Sequence, residues 1–153
     1  NARSETVADK PSFRESFRFR RCLIPATGFY EWRTENRKKT PYLITIKSEK
    51  AYAMAGIWSR WTGPDGTYES CAVLTTSAAP KIQAIHERMP VILHPRQYGV
   101  WLDEQASRQR LLDLCIPVPD EFIDVRPVSD HVNSARNDDP QCEANPVVQG
   151  SLF

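Results

Sequence analysis

Between Arg21 and Ser77, short apolar stretches alternate with polar positions and are bounded by glycine and proline, which is the signature of half-buried strands. RCLIPATGFYEW, PYLITIK, AYAMAGIWSRW and YESCAVLTTSA each predict strand, and GPDG at 63–66 predicts a turn that closes the last two into a hairpin. Upstream, residues 3–17 predict loop and a short helix, with Ser4 or Ser12 as the cap. Downstream, PKIQAIHER predicts one or two helical turns, MPVIL a strand and QYGVWL a short apolar stretch. Residues 103–115 predict a capped helix with Leu111, Leu112 and Cys115 inward, and FIDVRPVS a last strand. The C-terminal stretch DHVNSARNDDPQCEANPVVQGSLF is rich in Asn, Asp and Pro and predicts irregular backbone. The class that follows is α+β: a curved, mostly antiparallel, barrel-like sheet with a few short helices, in one domain over residues 1–153.

Composition narrows the picture. With 41% hydrophobic and 25% charged residues, a chain of 153 residues can bury a real core. No apolar run approaches the roughly 20 residues that cross a bilayer, and no signal segment opens the chain, so no membrane partner is expected. Cys22, Cys71, Cys115 and Cys142 form no CxxC pair, which argues against zinc ribbons and redox motifs and fits reduced thiols in a cytoplasmic protein. No metal and no cofactor are expected. Net charge is +1 but uneven: residues 1–40 carry ten Lys and Arg against five acids, and residues 101–153 carry four against ten. The basic first quarter also holds Phe13, Phe17, Phe19, Phe29, Tyr30 and Trp32. Cations mixed with stacking faces suit single-stranded nucleic acid; a core of aromatics under a solvated basic surface has the same composition.

Two stretches can carry chemistry. In GFYEWR, strand alternation puts Phe29 and Glu31 on one face and Tyr30 and Trp32 on the other. If the Glu31 face is inward, desolvation raises the carboxyl pKa and makes it a general acid or base near neutrality; if outward, Glu31 is a surface residue paired with Arg33 or Lys38. In IHERMPVIL, Pro90 biases Met89 towards extended backbone, and an extended run projects His86 and Arg88 to one side. An imidazole beside a guanidinium suits protonation of a leaving oxygen next to a phosphate, whereas a lone histidine is also a common structural residue. His94 and His131 read as surface residues. GxSxG elbows and phosphate-cradling glycine loops are absent.

NARSET at 1–6, RRCLIPATGFYEW at 20–32, AGIWSRW at 55–61, LTTSA at 74–78 and HERMPVIL at 86–93 occur together and in this order. In this combination, and in the ending with Val132, Asn133, Asp139, Pro140 and Cys142, the chain closely resembles the SOS response-associated peptidase family, whose members act on abasic sites in single-stranded DNA. The resemblance implies a mechanism in which an N-terminal cysteine traps the ring-opened aldehyde of an abasic sugar. Its amine forms a Schiff base, and its thiolate closes that to a thiazolidine. Carried over residue by residue, Asn1 holds the sugar-derived linkage, Glu31 handles protons at the amine, and His86 helps to open the sugar by protonating its oxygen. Arg3 and Arg88 are expected to hold phosphates, and Trp32 and Thr75 to lie near the DNA strand. The partner so implied is abasic single-stranded DNA, met by a monomer, cytoplasmic and nucleoid-associated if bacterial.

The family's opening Met-Cys-Gly-Arg has no match in these residues, and each of the four cysteines is internal, without a free α-amine beside its thiol. The expectation is therefore that residues 1–153 by themselves do not make the stable link. Two other readings use the same residues. A non-covalent single-stranded DNA-binding module predicts salt-dependent binding that ignores Glu31→Gln. An abasic-site lyase acting through a Schiff base needs only an amine.

Overall fold

In the computed structural model, which describes residues 1–47 and 49–147, the sheet content falls into two curved, open ladders. The strands are β1 (Ala2–Arg3), β2 (Arg21–Ala26), β3 (Phe29–Glu35), β4 (Lys38–Ile46), β5 (Tyr52–Gly63), β6 (Gly66–Ser77), β7 (Arg88–Pro90), β8 (Ile92–Leu93) and β9 (Ile123–Pro127). Four short helices connect them: α1 (Arg14–Phe19), α2 (Pro80–Gln83), α3 (Tyr98–Leu102) and α4 (Arg108–Leu112). The larger ladder runs β1-β6-β5-β2, with β7 against β6 and β8 against β5, and the smaller runs β3-β4-β9. Among the described residues every pairing is antiparallel except β1 against β6. The α+β class stands, and the ladders do not close on one another as a barrel would.

The β5–β6 hairpin organises the larger sheet. Its turn falls at GPDG, with Gly63 opposite Gly66, and Gly66 has φ +129°, a conformation that glycine alone adopts without strain. Away from the turn the two arms splay, and residues 88–93 enter between them. Val91 donates to Leu74 O and accepts from Ala55 N, both at 2.8 Å. One residue thus bridges both arms, which is why the predicted MPVIL strand is two strands, β7 on one arm and β8 on the other. Val91, Leu74 and Ala55 are fully buried and join Trp101, Phe17 and Ile57 in one core cluster, while Ile44, Ile82, Met89 and Ile123 centre a second.

RCLIPATGFYEW, read as one strand, is two strands in different sheets. The chain bends at Thr27 and Gly28, where a Cβ on Gly28 would stand 3.1 Å from the Ile44 carbonyl oxygen and 2.8 Å from Leu43 Cδ1. Glycine suits that approach, since a Cβ would crowd the Ile44 carbonyl, and it starts β3 tight against β4. The far end of the β3–β4 pair is closed by Asn36 and Arg37, both at positive φ (48° and 66°), as the right-handed twist of a two-residue hairpin demands.

The helices differ from expectation in their ends. Neither Ser4 nor Ser12 caps α1: its N-cap is Phe13, with no side-chain hydrogen bond, and Ser4 is buried with its N–H on Thr75 O. The predicted helix over 103–115 is confined to α4, because Asp103 turns back to accept from Gln105 N and Ser107 takes the cap, accepting from Arg110 N. Leu111 and Cys115 are buried as expected; Leu112 is half-buried. QYGVWL forms the helix α3 that carries Trp101 into the core. The stretch from Asp130 is irregular, with 3-10 turns at Asp130–Asn133 and Pro140–Glu143, and its last residues, 148–153, lie outside those described.

Candidate active site

Glu31 sits mid-strand in β3, opposite Tyr42 of β4. Its side chain keeps 24% of its exposure, so it stands half-buried between the two alternatives, and burial pushes its pKa up while the nearby His86 and the Trp32 backbone N–H pull it back. Glu31 does not pair with Arg33 or Lys38. Arg33 instead meets Glu35 at 3.0 Å and lies over the Tyr42 ring.

His86 follows α2, whose last turn it extends by donating its backbone N–H to Ile82 O at 3.0 Å. Its Nδ1 lies 3.8 Å from Glu31 Oε1. The same Nδ1 lies 3.1 Å from the Arg88 backbone N and 3.0 Å from the Arg88 carbonyl oxygen, so it accepts from the first in one tautomer and donates to the second in the other. His86 and Arg88 are therefore joined by a local turn and not by side chains projecting together from an extended strand.

Arg88 is more committed than its sequence setting indicates. Nη1 and Nη2 donate to both carboxylate oxygens of Glu5 at 2.6 and 2.9 Å, and Nη2 also reaches Thr75 O at 2.6 Å and Thr75 Oγ1 at 3.3 Å. The guanidinium holds the Glu5 carboxyl below the usual carboxylate range. Around this fork β1 lies parallel to β6 with Arg3 opposite Thr75, and the Ser4 N–H donates to Thr75 O at 2.9 Å. Asn1 and Arg3 are exposed at this edge.

Trp32 belongs to the other face of β3, where its ring lies 6.4 Å from that of Tyr30. Its indole Nε1–H donates to Asn133 Oδ1 at 2.7 Å. The structure therefore gathers Arg3, Thr75 and Arg88 along the β1–β6–β7 junction, with His86 and Glu31 next to them, and leaves Trp32 turned away on its own strand. A cavity of about 660 Å³ against α1 and α4 contains none of these residues. Two partners escaped the sequence reading: Glu5, which lies inside the NARSET block, and Asn133, which lies inside the C-terminal one.

The sequence model of the family described as SOS response associated peptidase (SRAP) matches residues 1–135. The abasic site processing protein YoqW of Bacillus subtilis (strain 168) is 38% identical over 144 residues, covering 92% of this chain and 64% of its own length. The abasic site processing protein HMCES of Xenopus tropicalis is 36% identical over 166 residues, covering 94% of this chain and 49% of its own. Among solved structures, a Bacteroides thetaiotaomicron protein superposes with a TM-score of 0.89 at 34% identity, covering 95% of this chain and 65% of that one. The chain thus spans between about half and two thirds of the length of these relatives.

Proposed function

Because the chain belongs to the SOS response associated peptidase family, we propose that its gene product is a sensor of abasic sites in single-stranded DNA that captures the opened sugar covalently at an N-terminal cysteine. Self-processing peptidase activity exposes that cysteine. The aldehyde and the α-amine condense to an imine with loss of water, and the thiolate adds to the imine carbon to close a thiazolidine.

Within these residues, the His86 imidazole donates a proton to the sugar ring oxygen as the ring opens. Glu31 takes a proton from the amine and returns one to the departing hydroxyl, a task suited to a carboxyl whose pKa burial has raised. Asn1 holds the sugar-derived linkage. Arg3 supplies the exposed phosphate contact, while Arg88 holds β1 in place through Glu5 and Thr75 and offers a phosphate only the part of its fork that Glu5 yields.

The observation that carries the reading is the half-buried Glu31 carboxylate set 3.8 Å from the His86 imidazole. The relatives' names support abasic sites as the substrate class. The test is a denaturing gel of the native, full-length gene product with single-stranded DNA bearing one abasic site. A heat-stable adduct, located at the N-terminal cysteine by intact mass and slowed by Glu31→Gln and His86→Ala, is expected. Tight binding without an adduct would replace this reading with the non-covalent module, and strand cleavage with reductive trapping in a cysteine-free variant would replace it with the lyase.

A further inference from the structure

We propose that His131, Asp139 and Cys142 form a site for one divalent transition-metal ion of zinc's class. The proposal is independent of the function proposed above. One ligand atom from each residue lies within 4.8 Å of the other two, and His131 Nε2 is 3.0 Å from Asp139 Oδ2. A tetrahedral ion with bonds of about 2.0–2.3 Å spaces nitrogen, oxygen and sulfur about 3.3–3.6 Å apart, so His131 and Asp139 part by a few tenths of an ångström and the Cys142 sulfur closes in by no more than about 1.5 Å.

The three side chains are already aimed. Asp139 Oδ1 is fixed by the Gln141 N–H at 2.8 Å, which leaves Oδ2 turned to His131. Asn137 ties the other two together: its Nδ2 donates to His131 O at 2.7 Å, and its own carbonyl accepts from Cys142 Sγ at 3.7 Å. Cys142 is buried, and its sulfur lies within 4.8 Å of both other ligand atoms. One imidazole, one carboxylate and one thiolate suit zinc and its neighbours, while calcium and magnesium need more oxygens. Three protein ligands leave one position for water. Binding expels the Cys142 thiol proton to solvent. The ion would clip the two 3-10 turns together, and the first of them carries Asn133, the partner of Trp32.

The test is zinc titration of the purified full-length protein without DNA, with metal content measured after dialysis, melting temperature with and without Zn²⁺, and the absorption spectrum with Co²⁺ in its place. One Zn²⁺ retained per chain, a higher melting temperature with metal, and a thiolate-to-cobalt charge-transfer band are expected. Both retention and band should be lost in Cys142→Ser and in His131→Asn and kept in Cys71→Ser, which alters an exposed thiol elsewhere. Should Cys142→Ser not fold, the half-exposed His131→Asn and the wild-type cobalt spectrum decide. Sub-stoichiometric zinc, retention that survives His131→Asn, or a cobalt complex without the thiolate band overturns the proposal.

Discussion

Glu31 Oε1 and His86 Nδ1 stand 3.8 Å apart, too far for a hydrogen bond and near enough for each charge to feel the other. Nδ1 lies within hydrogen-bond distance of the Arg88 backbone, 3.1 Å from its N and 3.0 Å from its carbonyl oxygen, so the two side chains are coupled by field and not by a shared proton. Burial dominates and lifts the Glu31 pKa above its ordinary value of 4.5. A carboxyl raised in the folded state binds protons more tightly there than when unfolded, so stability falls as pH rises between the two values. Glu31→Gln should therefore melt at a higher temperature than the parent at pH 7, with the gain disappearing below the ordinary carboxyl value. Calorimetry across that range checks this; a gain that does not depend on pH would sink it.

Glu5 carries the opposite sign in the same neighbourhood. The Arg88 fork holds its pKa below the ordinary value, so its contribution is present above that value and is lost as pH falls through the folded one. Glu5→Gln should cost at most about 1 kcal/mol at neutral pH, since the carboxylate is half exposed, and nothing at low pH. It also releases part of Arg88. Under the proposed function, the salt dependence of single-stranded DNA binding should steepen by about one phosphate contact. An unchanged slope in fluorescence anisotropy would leave Arg88 a strut for β1 alone.

How far the sequence revealed this arrangement depends on how local each cause is. The β5–β6 hairpin was legible because its turn residues and flanking strands are contiguous. The pairing of Glu31 with His86 as candidates came from the five ordered blocks, while strand alternation left a raised Glu31 pKa and an exposed surface glutamate both open. The split of MPVIL was not, because it depends on Val91 bonding to two arms that meet only in the fold. The division of RCLIPATGFYEW turns on Gly28 approaching the Ile44 carbonyl, and an isolated glycine does not announce which backbone it must pass. Glu5 lies 83 residues from Arg88, and Asn133 lies 101 from Trp32. Neither charge pattern nor periodicity reaches across such separations.

Arg21 holds a structural position outside the site. Its buried guanidinium donates to Trp101 O at 2.7 Å, Phe17 O at 2.8 Å, Arg18 O, and Asp103 O at 2.7 Å, closing the C-terminal ends of α1 and α3 over β2. Those carbonyls have no helical partner of their own. Arg21→Met keeps the apolar stem but leaves two buried and two part-buried acceptors unpaired, a loss of about 2–5 kcal/mol. Urea unfolding of the variant measures it. A cost below about 1 kcal/mol would mean that water reaches these carbonyls once the guanidinium has gone.

Trp32 tests whether the second face of β3 belongs to the DNA path. Its indole N–H is spent on Asn133 Oδ1, so the ring is held in one orientation. If a base stacks on it, Trp32→Ala should weaken single-stranded DNA binding by about 1–3 kcal/mol. Asn133→Ala should weaken it less, because the ring remains but is no longer held. The double variant should be no weaker than Trp32→Ala alone, since the asparagine acts only through the tryptophan. Additive losses would mean that Asn133 touches DNA itself. No loss in either single variant would confine the DNA to the Glu31 side of the strand, leaving the Trp32–Asn133 bond as the tie that fastens the irregular C-terminal stretch to the smaller sheet.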